Sequence, residues 1–151
     1  FNTFGPRQSN RAVIPRIIIQ CLNKKNTRLN LGNLKPTRDF NYVEDTCEAY
    51  FQVLNSKKII GEIINVGSNT NISIENIAKK IMVMTNRKLK FFSNKKILRP
   101  KLSEVTDLQC DNQKIKKLSN WNSKVNLDNG LKKTIQWIKK NYSKFSDKYE
   151  I

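Results

Sequence analysis

Histidine does not occur anywhere in this 151-residue chain. Its absence removes imidazole as a general base, as a metal ligand and as a member of a catalytic triad. Glycine is scarce, at five residues, and none sits in a glycine-rich turn between a strand and a helix, so no dinucleotide pyrophosphate is cradled by that route. Cysteine occurs three times, at Cys21, Cys47 and Cys110, with no CxxC pair. Cys21 and Cys47 fall in apolar helical patterns, a usage that fits a reducing compartment and argues against a disulfide framework or a zinc site. No apolar run reaches the length of a bilayer, and no charged-then-apolar leader is present. The expectation is a cytoplasmic protein with neither a membrane segment nor a bound metal. A GxSxG elbow is missing as well, and so is a Tyr-x-x-x-Lys pair, which leaves the chain with no catalytic residue of its own.

Acidic residues are few against basic ones, 12 to 29, for a net charge of +17. Such a surplus invites a nucleic-acid-binding reading. The distribution weighs against it. Lysines come mostly as pairs beside apolar helix faces ("NKKN", "SKKII", "IAKKI", "LKKTI"), spread along the whole sequence, with no dense basic block and no aromatic platform. A basic nucleic-acid-binding module therefore stands as the competing class, and no nucleic acid is the primary expectation.

What is present reads as an α/β chain of one domain. It opens on "FNTFGP", a strand end running into a turn, which suggests a piece of a longer polypeptide cut inside a folding unit. Residues 11–25 carry a helical apolar face of Val13, Ile14, Ile17, Ile18, Cys21 and Leu22, with the helix starting just before Pro15. "RLNLGN" alternates as a strand, "RDFNYV" reads as another, and "EDTCEAYFQVLNS" as a helix with Glu44 and Asp45 at its start, where the macrodipole favours acids. "GEIINVGS" (61–68) predicts a buried strand. Ser73 is a candidate N-cap for a helix with Ile74, Ile77, Ile81 and Met84 on one face. "KLKFF" is a further short strand, Asp111 caps a brief helix, and a last helix turns Leu127, Leu131, Ile135 and Ile138 inward. The set is too short for a complete doubly wound sheet and reads as one outer half of a larger α/β enzyme.

For the candidate functional groups the plainer reading comes first. Glu44 and Asp45 serve a helix start rather than acid–base chemistry. Glu104 and Asp107 fall in an irregular segment and read as solvated, while Trp121 and Trp137 close the core. Arg38 and Arg99 differ from the lysine background. Each stands beside a chain-turning proline, in "KPTRDF" and "LRPKL", and arginine offers a planar fork of donors suited to phosphate oxygens. With the amide of Asn2 they could converge on one diphosphate.

The blocks "FNTFGPRQSNRAVIPRII", "LGNLKPTRDFNYVEDTCEAY", "INVGSN", "LRP" and "LSNW", in that order, resemble an extended short-chain dehydrogenase/reductase of the NAD-dependent epimerase/dehydratase family. They match the C-terminal half of nucleotide-sugar epimerases and 4,6-dehydratases. "RQSNRAVIP" and "RPKLSEVTDLQCDN" look most like UDP-N-acetylglucosamine 4,6-dehydratases of the legionaminic-acid pathway type. The resemblance covers residues 1–141, with 142–151 a frayed tail. It implies the smaller substrate-binding lobe of a Rossmann-type enzyme plus late Rossmann strands near 38–66.

The resemblance also implies site roles. Asn2, Arg38 and Arg99 would hold the substrate diphosphate, with Asn65 close by. Ala12, Val13 and Leu31 would line the nucleotide pocket, and Phe1 would stand beside the sugar and the nicotinamide. The cofactor would be NAD, held mainly by a part of the enzyme that this sequence does not contain, where the Tyr/Lys pair would also lie. The substrate would be UDP-N-acetylglucosamine or a relative, oxidised at C4 before water leaves from C6, and the intact enzyme would be a homodimer. A 4-epimerase is the alternative. The sequence departs from the pattern at Asp107, where relatives often carry a basic residue.

Overall fold

The structure, a computed structural model, describes residues 1–93 and 104–145. Its central element is a helix that is apolar around most of its circumference. In α1 (Val13–Leu22), Ile14, Ile17, Ile18, Ile19 and Cys21 are all buried. A helix of this kind must be covered on several sides. It is covered by α3 (Ile74–Met84) and α5 (Leu127–Lys140). Pro15 lies in the first turn, where its missing N–H is harmless. The opposite end is tied down by Arg87, whose guanidinium donates to the carbonyls of Cys21 and Asn23, both at 3.0 Å, and of Asn26 at 2.7 Å.

Among the described residues, three small sheets accompany this helix. β1 (Asn2–Phe4) runs parallel to β4 (Phe40–Tyr42), with Asn2 opposite Phe40. β2 (Arg28–Leu31) runs parallel to β6 (Lys90–Ser93). β3 (Thr37–Arg38) is the middle of a third sheet, antiparallel to β5 (Ile72–Ser73) and parallel to β7 (Asp107–Leu108). The remaining helices are α2 (Val43–Asn55) and the short α4 (Gln113–Leu118). α5 packs closely on β1 and β4: a Cβ added to Gly130 would lie 2.7 Å from Phe4 Cζ and 2.8 Å from Tyr42 Cδ2.

Several expectations hold. α1, α2, α3 and α5 fall where periodicity put them, and Ser73 caps α3 by accepting from Asn76 N at 3.1 Å. Trp121 is buried with Ala49 and Ile115 in a second, smaller cluster, and its Nε1 donates to Asp45 O at 2.8 Å. Glu44 and Asp45 do open α2. Asp45 is also buried and accepts from Ser123 Oγ, Lys124 N and Val125 N, each at 3.0 Å, so it pins the loop behind Trp121.

Others need correction. "GEIINVGS" is not a strand. Among the described residues no neighbour pairs with it, and Ile60 and Ile63 face outward at 81% and 85% exposure. An apolar run becomes a strand only where another backbone meets its edge. "RDFNYV" is two strands rather than one, because at Asp39 the chain leaves one sheet for another. Asp39 N donates to Leu108 O at 2.8 Å, on the β7 side, while Asp39 O accepts from Asn2 N at 3.2 Å, on the β1 side. Cys47 is exposed rather than packed on an apolar face. Asp111 sits one residue before the N-cap position of α4 and accepts from Gln113 N at 2.9 Å. Of the expected tail, Tyr142–Lys144 form a 3₁₀ turn and Phe145 packs edge-on against Trp137 at 5.9 Å.

Candidate functional site

β1, the turn leading into α1, the end of β2 and β3 enclose a cleft of about 470 Å³. The fold places each wall for a local reason. Gly5 turns the chain with φ +157°, just after Phe4 is buried under α5. The segment then passes through Gln8 and Arg11 before Ala12 takes the N-cap position of α1. β2 ends at buried Leu31. Pro36, also buried, turns the chain into β3, which carries Arg38.

Of the residues singled out in the sequence, Asn2, Ala12, Val13, Leu31 and Arg38 line this one cleft. They come from four separate stretches of chain, and only the fold unites them. Phe1 and Asn65 do not line it. Phe1 is 41% exposed, and its backbone N donates to Val66 O at 2.9 Å, on the side of the 61–66 segment. Asn65 lies in that same segment and faces solvent. Arg99 falls outside the described residues.

The polar groups are already organised. Arg38 is largely buried; its Nη1 donates to Thr37 O at 2.7 Å and its Nη2 to Glu104 Oε1 at 3.2 Å. Glu104 is therefore a cleft residue paired with arginine, and not the solvated acid that its irregular surroundings suggested. Asn2 Nδ2 donates to Asp39 O at 3.2 Å, which fixes the amide against the strand junction. Gln8 Nε2 donates to Thr3 O at 2.7 Å, while Gln8 Oε1 is buried with no hydrogen-bond partner among the described residues. A buried acceptor left in this state on a cleft wall is suited to a donor from a ligand. Asp107 is bonded to Thr37 and to Asn71 Nδ2, the latter at 2.6 Å, and does not line the cleft.

Sequence reasoning missed Gln8, Arg11, Arg16 and Glu104, all of which line the cleft. A signal existed for the first three. They share the turn and first helical turn with Ala12 and Val13, so naming those two as lining residues implied their neighbours. Among the described lining residues, three guanidiniums stand against one carboxylate. This set favours an anion and supplies hydrogen-bond donors to orient it.

Acid–base and nucleophilic chemistry find less support. Burial pushes the Cys21 and Cys110 thiols up to about 11, with the nearby Asp39 carboxyl adding to the effect at Cys110. Tyr42 is raised by burial first and by Glu44 second, and its ring serves the β1–β4 core. Among the described residues no group of His, Cys, Asp and Glu could hold a metal ion, and no helix is long and apolar enough to cross a membrane. The chain has no glycine-rich strand–turn–helix, and Phe1, the residue that the resemblance offered to NAD, stands outside the cleft.

The family profile described as GDP-mannose 4,6 dehydratase matches residues 1–134. The chain belongs to this family. Its sequence is 34% identical, over 92% of its length, to a UDP-N-acetyl-alpha-D-glucosaminuronate decarboxylase of Bacillus cytotoxicus, of which it covers 44%. It is 30% identical, over 93% of its length, to a human dTDP-D-glucose 4,6-dehydratase, of which it covers 40%. Among solved structures, the UDP-glucuronic acid 4-epimerase of Bacillus cereus in complex with UDP-glucuronic acid and NAD superposes with a TM-score of 0.83 at 30% identity, over 94% of this chain and 44% of that one. An epimerase of Methanothermobacter thermautotrophicus gives 0.84 at 27% identity, over 95% and 42%. The fold is thus the α/β fold of extended short-chain dehydrogenase/reductase epimerases, and this GDP-mannose 4,6 dehydratase family chain spans less than half the length of each of these relatives.

Proposed function

We propose that this chain is the substrate-gripping part of an NAD-dependent nucleotide-sugar 4,6-dehydratase acting on UDP-N-acetylglucosamine or a close relative. The observation that carries the reading is the convergence of Asn2, Ala12, Val13, Leu31 and Arg38, from separate stretches, on one arginine-rich cleft. In this assignment Arg38 binds the diphosphate, with Asn2 beside it, and Arg99 is a further candidate for the same role. Ala12, Val13 and Leu31 form the apolar wall for the base. Their side chains are short or smooth, as close approach of a flat ring requires.

Relatives named for decarboxylation, dehydration and epimerisation all match the same stretch. These are three outcomes open to a sugar nucleotide oxidised at C4. A half that grips the nucleotide can be shared among them while the bond-breaking groups lie elsewhere in the enzyme. A 4-epimerase remains the second reading on the same ground. The enzyme would hold NAD outside this chain's cleft, work as a homodimer and reside in the cytoplasm.

The test is calorimetric titration of UDP into the protein as its gene encodes it. Arg38→Ala weakens binding by about tenfold or more, on the order of 1.4 kcal/mol. Unaltered affinity removes Arg38 from the diphosphate and the proposal with it.

A further inference from the structure

Arg38 already has an anion beside it. Glu104 Oε1 lies 3.2 Å from Arg38 Nη2, and the two side chains are only 15% and 13% exposed. Both line the cleft. A carboxylate and a phosphate seek the same planar fork of donors on a guanidinium. A diphosphate that binds Arg38 while Glu104 remains in place would sit beside a like charge in a poorly hydrated site, where repulsion is little screened.

On its C-terminal side, Glu104 stands ahead of the first backbone anchor to β3. Thr37 N donates to Thr106 O at 2.9 Å and Asp39 N to Leu108 O at 2.8 Å, so the ladder to β3 takes hold at Thr106. Glu104 precedes it, and the intervening Val105 is 49% exposed. Arg38 is fixed from behind, through Nη1 to Thr37 O at 2.7 Å, and that bond does not depend on Glu104. When the carboxylate leaves, the arginine keeps its place.

We propose that Glu104 is a resident counter-ion that holds the anion position on Arg38 and yields it to the diphosphate of the substrate, thereby setting how fast nucleotide is released. The inference rests on the reading of the cleft as a diphosphate site. Glu104 is a positioning residue in this scheme: it keeps the buried guanidinium compensated when the cleft is empty and competes with the ligand for it.

The experiment measures UDP binding and dissociation in the protein as its gene encodes it, for the parent, Glu104→Gln, Arg38→Ala and the double variant, with uridine as a ligand lacking phosphate. Glu104→Gln tightens UDP by about tenfold, mainly through slower dissociation, since affinity differences within one site reside mostly in the off-rate. Uridine affinity is unchanged in that variant, and the double variant shows no tightening. Glu104→Ala gives the same direction, which guards against a peculiarity of the amide. A carboxylate that merely braces the fold would instead lower the melting temperature and leave UDP unchanged or weaker. That result, with Arg38→Ala still weakening UDP, overturns the counter-ion and spares the grip. If Arg38→Ala leaves UDP binding intact, the grip itself falls and the counter-ion falls with it.

Discussion

Asp39 is a fully buried carboxyl met by four donors: Ser68 N at 2.8 Å, Ser68 Oγ at 2.7 Å, Asn69 N at 2.9 Å and Cys110 N at 3.1 Å. Three of these are backbone groups that would lose their acceptor together. Asp39→Ala lowers stability by on the order of 3 kcal/mol, read as a fall in the urea midpoint, because buried donors left unmade carry their full desolvation cost. An unshifted midpoint would deny Asp39 this role. The neighbouring Gly67 is constrained by the same packing, since an added Cβ would meet the Cys110 side chain, with Sγ 2.9 Å away. Nothing in "TRDF" distinguished the aspartate from a surface acid, because its partners lie far along the chain and only the fold brings them to it. Arg38 stood out in the sequence because it sits beside the chain-turning Pro36, whereas Glu104 did not, because its partner is Arg38 and not a sequence neighbour.

The thiols make a second prediction at this scale. Cys21 and Cys110 are raised from 9.0 to about 11, so in the folded state they stay protonated while the unfolded chain releases its protons at lower pH. The unfolded state then binds fewer protons, and stability falls as pH rises from 9 towards 11. Urea midpoints measured across this range decline in the parent, and the slope is shallower in Cys21→Ala and Cys110→Ala. Equal slopes in all three would remove the thiols as the cause. A thiol reagent at neutral pH labels exposed Cys47 first.

At the scale of elements, helices were legible and strands only in part. A helix announces itself through its own residues: the isoleucines of α1 and the Ser73 cap of α3 need no distant partner to be recognised. A strand is defined by what lies beside it. "RLNL" pairs with β6, whereas "EIINV" forms no strand pairing among the described residues, although its composition is the more strand-like of the two. The tethering of α1 by Arg87 is equally non-local. Its guanidinium bonds three carbonyls at the end of the helix, where a cation also suits the dipole. Arg87→Ala costs about 2 kcal/mol, in the range for bonds to a charged donor, and Arg87→Lys recovers only part of it because a point charge cannot span three acceptors. Thermal melts of the two variants check the order; a lysine variant equal to the parent would contradict the fork.

For the whole molecule, apolar surface and division of labour belong together. Tyr50, Phe51 and Leu54 of α2 stand out at 71%, 61% and 85% exposure, beside a chain that also exposes Ile60 and Ile63. Patches of this kind mark surfaces that pack against something else. Under the proposed division, the 151 residues produced alone neither retain NAD through gel filtration nor convert a UDP-sugar. Detectable product from the purified chain would overturn that division. The surplus of positive charge is distributed over helix faces, and the cleft uses only a small share of it, as arginine rather than lysine.

The change of sheet at Asp39 has a dynamic consequence. One residue gives its N–H to β7, its C=O to β1 and its side chain to the loops at Ser68 and Cys110. These segments cannot loosen one at a time, because each shares an anchor with the others. The expected outcome is a single opening unit, checked by hydrogen exchange: the amides of Ser68, Asn69 and Cys110 exchange at a common rate, and separate rates would contradict it. Arg38 is the residue next to that anchor, so an occupant of the cleft is expected to slow exchange in all of these segments at once.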